Sequence, residues 1–144
     1  MTCIAWDGKT LAADKQSTNN NLARTVTKIT RVGKSLVGGA GDASQTEEMV
    51  AWLRRGAKVG DFPASQRDKE DWASMLVIRP GGFIDLYERT PYPTRYEDKI
   101  FAIGSGRDFA LAAMYLGKCA SDAVEIASIF DAGSGNGVDV LVLR

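Results

Sequence analysis

Short apolar runs separated by turn residues fill the first part of the chain, and they predict paired β-strands. Residues 2–6 are largely apolar, Asp7-Gly8 is a two-residue turn, and residues 9–13 form the return strand. Three consecutive asparagines at residues 19–21 predict a loop that tolerates left-handed backbone. The first predicted element is therefore a hairpin at the start of the chain.

A second hairpin is predicted from residues 25–31 and residues 35–41. Side chains alternate between the two faces of a strand, so Lys28 shares one face of the first strand with Val26, and Thr27 lies on the other.

The run Gly38-Gly39-Ala40-Gly41 is unusually rich in glycine for the end of a strand. Two interpretations remain open: a backbone that comes close to a ligand and points its amides at it, or a tight turn from strand to helix. The helix that follows is predicted to be capped by Asp42 or Ser44 and to stop near Gly56.

The second half alternates between strands, turns and helices. Residues 57–71 lose all periodicity and predict a surface connection. The remaining predicted elements are strands at 74–78 and 83–87 around a turn at 80–82, a loop bracketed by Pro91 and Pro93, a strand at 100–103, a helix at 107–116, a helix at 122–130 capped by Ser121, and a strand at 138–143.

Strands that pair as hairpins, with helices segregated between them, predict an α+β fold and not a parallel sheet. Two packed antiparallel sheets with helices on their outer faces fit this order. A chain of 144 residues is expected to form a single domain, residues 1–144.

Composition and charge indicate which kinds of partner and which cellular compartment to expect. The chain has 18 basic and 18 acidic residues and no basic run with interleaved aromatics, so neither nucleic acid nor a membrane is expected as a partner. It has no apolar stretch of ~20 residues and no secretory signal, which leads us to expect a cytoplasmic protein. Cys3 and Cys119 are interpreted as small buried apolar side chains, and no metal or cofactor is expected.

The chain contains no histidine. Ser-His-Asp and Cys-His catalysis are thereby excluded, and a base that works near neutral pH must be an amine or a carboxylate of shifted pKa. Removal of Met1 would leave Thr2 with a hydroxyl and a free α-amine, whose ordinary pKa is ~7.7–8.0. Many chains that begin Met-Thr lose the methionine and do not use the threonine as a nucleophile. Thr2 alone therefore does not indicate catalysis.

Gly104-Ser105-Gly106 follows a predicted strand and opens a predicted helix, as a phosphate-binding loop does. The P-loop lysine spacing is missing and the dinucleotide pattern is incomplete, so the sequence does not favour nucleotide binding.

Five separate motifs, taken in order, resemble the proteasome β-subunit superfamily, of which the bacterial HslV type is nearest. They are Thr2 behind Met1; Leu11-Ala12-Ala13-Asp14 with Thr18 four residues on; Lys28 one hairpin later; Gly38-Gly39-Ala40-Gly41-Asp42 at the start of a helix; and, in the second half, residues 101–106 together with Asp131 and Ser134-Gly135 before the last strand.

This resemblance implies a threonine-type endopeptidase of the N-terminal nucleophile hydrolase fold, a four-layer αββα sandwich. Thr2 would be the nucleophile and its own α-amine the base. Lys28 would lower the pKa of that amine and of the hydroxyl, and Asp14 would hold Lys28 by an ion pair. The amide of Gly41 would bind the oxyanion. Ser105, Asp131 and Ser134 would form a polar network beside the amine, while Thr18 and Gly39 would bind substrate.

The same resemblance implies a peptide or unfolded protein as substrate, a homo-oligomeric ring, and an ATP-dependent unfoldase as partner. Residues 57–71 are shorter than the family's second long helix. Two alternatives are kept: an amidohydrolase of the same fold that acts on a small amide, and a catalytically silent ring-forming subunit. We expect Lys28 to lie in a hydrated site, so that its removal changes stability little.

Overall fold

The computed structural model describes residues 1–68 and 72–144, which form eleven strands and four α-helices. In chain order these are β1 Ile4–Trp6, β2 Thr10–Asp14, β3 Gln16–Asn19, β4 Leu22–Thr25, β5 Ile29–Val32, β6 Ser35–Ala40, α1 Ala43–Arg54, α2 Ala64–Asp68, β7 Ser74–Ile78, β8 Ile84–Tyr87, β9 Thr94–Tyr96, β10 Phe101–Ile103, α3 Arg107–Tyr115, α4 Ala120–Phe130 and β11 Val138–Val142. A single 3₁₀ turn, Val59–Asp61, precedes α2.

The strands form three antiparallel sheets. The first sheet has the order β10-β1-β2-β11, and the second has the order β5-β6-β7-β8-β9. β3 and β4 pair only with each other and form a small separate hairpin.

Alternation along β1 shows how the two large sheets become layers. Ile4 and Trp6 point towards the second sheet and pack in a core that includes Leu36 and Leu76. Ala5 points the other way, into a cluster with residues of α3 and α4 such as Ala123. The far face of the second sheet packs on α1 in a third cluster. The order of layers is therefore helix, sheet, sheet, helix, which confirms the predicted α+β sandwich of two antiparallel sheets.

The outer cluster of the first sheet is built largely from alanine: Ala5, Ala12, Ala102, Ala110, Ala113, Ala120, Ala123 and Ala127. Small side chains on both surfaces let α3 and α4 approach the sheet closely, because packed interiors leave few voids. This brings the start of α3 and the end of α4 next to the beginning of β1.

The first predicted hairpin is confirmed, since β1 and β2 pair with Ala5 opposite Ala12. The second predicted hairpin is also confirmed, since β5 pairs with β6, but its first strand begins at Ile29 and not at residue 25. Residues 22–25 pair with β3 across Asn20 and Asn21, whose φ angles of 49° and 66° supply the left-handed turn. The chain then leaves the ladder at residues 26–28 and rejoins the second sheet at Ile29.

The predicted cap is confirmed for α1 and is wrong for α4. Asp42 caps α1 by accepting a hydrogen bond from Gln45 N at 3.0 Å. Ser121 does not cap α4, which begins one residue earlier at Ala120. Its first amide donates to Asp7 Oδ2 at 2.8 Å, so the β1–β2 turn supplies the cap from a distant part of the chain.

Three smaller expectations were wrong. Residues 57–71 do not form a purely surface connection, because Phe62 and Gln66 are buried; residues 69–71 of that segment lie outside the described part of the chain. The strand β9 was not predicted. Cys3 is buried as expected, but Cys119 is exposed. None of the described helices is long and apolar enough to cross a membrane.

Candidate active site

Thr2 lies immediately before β1 and is only 5% exposed. Its carbonyl accepts a hydrogen bond from Gly106 N at 3.0 Å, which fixes it against the turn between β10 and α3. Gly104 in that turn has a φ of +95°, and a Cβ there would overlap the Thr2 carbonyl. The glycines of the 104–106 motif therefore let the chain pass close to Thr2.

Asp14 ends β2 and is fully buried. Its Oδ1 accepts from Cys3 N and Lys28 Nζ, both at 2.9 Å, and its Oδ2 accepts from Gln16 N at 3.1 Å and Gly135 N at 3.0 Å. Four donors around one carboxylate compensate for the loss of water on burial. Asp14 thus joins four separate segments of the site.

Lys28 lies in the stretch between β4 and β5 that leaves the ladder. Its Nζ contacts Thr2 Oγ1 at 3.2 Å in addition to Asp14. A positive charge at this distance favours the ionised form of the hydroxyl. The Lys28 side chain is only 8% exposed, so the expectation of a hydrated site was wrong. Its ammonium lies between Asp14, the Thr2 hydroxyl and the Met1 carbonyl.

The nitrogen of Thr2 faces a second polar group, made by Ser105, Asp131 and Ser134. Thr2 N donates to Ser105 Oγ at 3.1 Å, and Ser105 Oγ donates to Asp131 Oδ2 at 2.7 Å. Ser134 Oγ donates to the same carboxylate oxygen at 2.5 Å. A chain of hydrogen bonds therefore runs from the Thr2 nitrogen to a carboxylate.

Asp131 stays ionised over a wide pH range. Its partial burial raises the pKa of the carboxyl, but hydrogen bonds from Ser134, Ser105 and Gly133 N outweigh that effect and leave the pKa below its ordinary value. A permanent negative charge near the Thr2 nitrogen stabilises positive charge there.

Met1 blocks this site in the chain as it stands. The Thr2 nitrogen is part of a peptide bond, and Thr2 Oγ1 donates to the Met1 carbonyl at 2.7 Å, with Lys28 Nζ 3.2 Å from the same oxygen. The Met1 side chain lies over Gly133, where any Cβ would overlap it. An amide nitrogen cannot act as a base, so Thr2 cannot supply a base while Met1 is attached.

A cleft of about 810 Å³ opens beside Thr2. Lys28, Thr18, Gly39 and Gly41 line it. Gly41 has a φ of +111°, and a Cβ there would come within 3.1 Å of the backbone of Trp72 and Ala73. Its glycine is needed for backbone shape and for packing on the strand behind it, which supports the tight-turn interpretation of the glycine run.

All seven catalytic residues expected from the sequence therefore lie around one site: Thr2, Asp14, Lys28, Ser105, Asp131 and Ser134 by hydrogen bonds, and Gly41 by its place in the cleft. Sequence analysis missed Gln16, and it gave Gly104 and Gly135 no role of their own although both lie within motifs that it named. Each gives only a weak signal, because a glycine or glutamine near a motif has no chemistry of its own to mark it.

Cys3, next to Thr2, is not a second candidate nucleophile. Burial, together with the charges of Asp14 and Asp131, raises the pKa of its thiol to about 12. A thiol that remains protonated at neutral pH is a poor nucleophile. The described residues contain no cluster of three or more His, Cys, Asp or Glu that could hold a metal ion.

Solved structures with the same fold cover the whole chain. BPH from Thiobacillus denitrificans in complex with epoxomicin is similar at a TM-score of 0.75 and 21% identity, over 100% of both chains. Eukaryotic HslV from Trypanosoma brucei is similar at a TM-score of 0.74 and 24% identity, over 99% of this chain and 98% of that one.

The chain has the HslV fold. BPH from Thiobacillus denitrificans in a second structure gives a TM-score of 0.73 at 23% identity, over 99% of this chain and 98% of that one. The resemblance to the HslV type found in the sequence thus holds at the level of the fold. No protein-family model and no curated protein matches the sequence.

Proposed function

We propose that this chain is a threonine-type endopeptidase in which Thr2, freed of Met1, is the nucleophile. The observation that supports this most is the placement of Thr2 between two polar groups. Its hydroxyl contacts Lys28 Nζ at 3.2 Å, and its nitrogen contacts Ser105 Oγ at 3.1 Å. Nucleophile and base then belong to one residue, which suits a chain without histidine.

The proposed reaction begins when the free amine of Thr2 takes the hydroxyl proton, directly or through a water. The oxygen forms a bond to the peptide carbonyl carbon, and Lys28 and the amide of Gly41 stabilise the negative charge that develops. The peptide C–N bond breaks as the Thr2 ammonium returns the proton to the leaving amine. Water then hydrolyses the ester and regenerates Thr2.

Ser105, Asp131 and Ser134 would hold the amine in the orientation that this proton transfer needs. When the amine becomes an ammonium, the ionised Asp131 stabilises it through Ser105. Asp14 would act through Lys28, whose position it fixes at 2.9 Å.

The substrate proposed is a peptide or an unfolded protein in extended form. Thr18 and Gly39 lie along the cleft, where their backbone groups would pair with the substrate chain. The complex of BPH with epoxomicin supports a ligand site in a protein of this fold. A closed homo-oligomeric ring with the Thr2 sites inside, served by an ATP-dependent unfoldase, is part of the same proposal.

We place the protein in the cytoplasm. Cys3 and Cys119 are both free thiols, which suits a reducing compartment.

A catalytically silent ring subunit is the second candidate, favoured by the hydrogen bonds that the Met1 carbonyl makes with Thr2 and Lys28. Two preparations separate the candidates. Each is made as a fusion whose removable partner is cut off directly before Met1 or directly before Thr2, and intact mass confirms the new N-terminus. A peptidase of the proposed kind hydrolyses a fluorogenic peptide only when the chain begins at Thr2, and epoxomicin stops that hydrolysis. Equal hydrolysis by both forms would rule out the amine as base, and no hydrolysis by either favours the silent subunit.

A further inference from the structure

Gln16 is the first residue of β3 and forms contacts that none of the proposed catalytic roles uses. Its Nε2 donates to Thr18 Oγ1 at 3.0 Å and to the carbonyl of Ala132 at 3.1 Å. One side-chain amide therefore joins the strand that lines the cleft to the segment 131–135, which we call the relay loop.

The relay loop contains several groups that matter at Thr2. Asp131 and Ser134 form the hydrogen-bond chain to the Thr2 nitrogen, and Gly133 lies against Met1. Ala132 stands between Asp131 and Gly133, so a bond to its carbonyl restrains the loop at its centre.

Backbone contacts hold the other end of the loop. Lys15 N donates to the Gly135 carbonyl at 2.9 Å, and Gly135 N donates to Asp14 Oδ2 at 3.0 Å. A Cβ on Gly135 would come within 2.7 Å of Gln16 Oε1, so this position needs glycine for the Gln16 side chain to lie where it does. The amide is thus fitted between β3 and the loop.

We propose that Gln16 is a positioning residue that sets the spacing between β3 and the relay loop, and so aligns the bound peptide with the Thr2 amine. This inference rests on the proposed peptidase function. A substrate that pairs along β3 is placed by that strand, whereas the amine is placed by the loop. Asp14 Oδ2 joins Gln16 N to Gly135 N at the end of the loop, and the Gln16 side chain joins Thr18 to the centre of the loop at Ala132. Its loss would let the two move apart without removing any reacting group.

The test uses two variants and a matched control. Gln16→Met keeps the length of the side chain but has no hydrogen-bonding amide, and Gln16→Glu keeps its shape but has no N–H to donate. The control is Thr25→Val. Thr25 pairs with Gln16 across the β3–β4 hairpin, and its Oγ1 accepts from Asn136 Nδ2 at 3.4 Å, so it also links the hairpin to the segment before β11 but touches neither Thr18 nor Ala132.

Each processed variant is assayed with a fluorogenic tetrapeptide and with the single-residue substrate that has the same fluorophore. Neither variant can donate both hydrogen bonds that Gln16 Nε2 makes, so both are expected to lose roughly 10- to 30-fold in kcat/KM on the tetrapeptide. The short substrate does not reach along β3 and should lose much less. An equal loss on both substrates, no loss, or the same loss in Thr25→Val would overturn the inference.

Hydrogen exchange separates this inference from the proposed function. If the wild-type processed chain hydrolyses neither substrate, the peptidase proposal fails, and the amides of residues 133–135 still report on Gln16. Faster exchange there in Gln16→Met than in Thr25→Val supports the link between strand and loop. The same exchange in both variants contradicts it.

Discussion

Lys28 Nζ lies 2.9 Å from Asp14 Oδ1, and the two side chains are 8% and 0% exposed. This ion pair is buried, and its geometry ties the groups around the Thr2 hydroxyl to the end of β2. A buried pair adds little net stability, yet loss of one partner leaves the other charge buried and unpaired. Lys28 is therefore expected to matter for both folding and turnover.

Lys28→Ala is expected to abolish measurable peptide hydrolysis, because the charge that favours the ionised hydroxyl is lost. We expect the free energy of unfolding to fall by about 3 kcal/mol, since the buried Asp14 side chain loses the ammonium with which it pairs. Urea denaturation and steady-state hydrolysis measure the two effects.

Lys28→Arg separates the effect on hydrolysis from the effect on stability. It keeps the charge and most of the stability, but the planar guanidinium does not fit the position of a compact ammonium, so activity should still fall. Wild-type hydrolysis by Lys28→Ala would show that Lys28 has no part in the reaction, whereas wild-type hydrolysis by Lys28→Arg would show that the charge suffices without the compact ammonium.

The sequence singled out Thr2 for its hydroxyl and its potential α-amine, and it named Lys28 and Asp14 through the motifs that resemble the HslV type. In the structure Lys28 Nζ contacts the side chains of both other residues. The hairpins and helices with clear periodicity were also predicted, with ends shifted by a few residues.

Contacts between residues far apart in the chain explain the two structural features that the sequence did not predict, the cap of α4 and the start of β5. Asp7 caps α4 from more than 100 residues away, which no local pattern at Ser121 indicates. Residues 25–31 alternate like one strand, but residues 22–25 pair with β3 and Lys28 forms an ion pair with Asp14. Both misjudgements follow from tertiary contacts that override local preference.

Gly104→Ala tests the close approach of the 104–106 turn to Thr2. Gly104 has a φ of +95°, and its Cβ would overlap the Thr2 carbonyl; Gly117 has a φ of +94° and nothing within 4 Å of its Cβ position. Both substitutions strain the backbone by a similar amount, of about 1 kcal/mol or more. Only Gly104→Ala should also displace Thr2 and abolish hydrolysis. Equal activity and equal stability of the two variants would contradict the contact.

Asp85 predicts a dependence of stability on pH. A hydrogen bond from Arg95 lowers the pKa of this carboxyl most, burial opposes that effect, and the bond from Arg79 lowers the pKa further. Because the folded pKa lies below the unfolded value of ~3.9, the stabilisation is present above that pH and is lost as pH falls through the folded pKa.

Asp85→Asn should therefore reduce the free energy of unfolding more at neutral pH than at about pH 2.5, as measured by urea denaturation. The control is Asp61→Asn. Asp61 pairs with Arg55, but both side chains are more than half exposed, so little change is expected at either pH. A loss from Asp85→Asn that does not vary with pH would refute the assignment.

Assembly should depend on the outer surface of α3 and α4. Four large apolar side chains there are exposed in two places: Tyr115 84% and Leu116 81% at the end of α3, and Ile129 74% and Phe130 66% at the end of α4, where Phe130 stacks on Phe109. Exposed apolar side chains that lie together are typical of contact surfaces. Ile129→Asp is expected to give monomers by light scattering, while Tyr92→Asp, on the β8–β9 loop and 67% exposed, leaves the oligomer intact. A monomeric wild-type chain would favour the amidohydrolase alternative.

The most direct test of the account is peptide hydrolysis by chains that begin at residue 2. Thr2→Ala is expected to be inactive and folded, because the hydroxyl is the attacking group and its loss leaves the surrounding backbone contacts in place. Cys3→Ala, the neighbouring control, should keep activity, since burial holds its thiol protonated with a pKa of about 12. Hydrolysis by Thr2→Ala at the wild-type rate, or loss of activity in Cys3→Ala alone, would contradict the claim that Thr2 is the nucleophile.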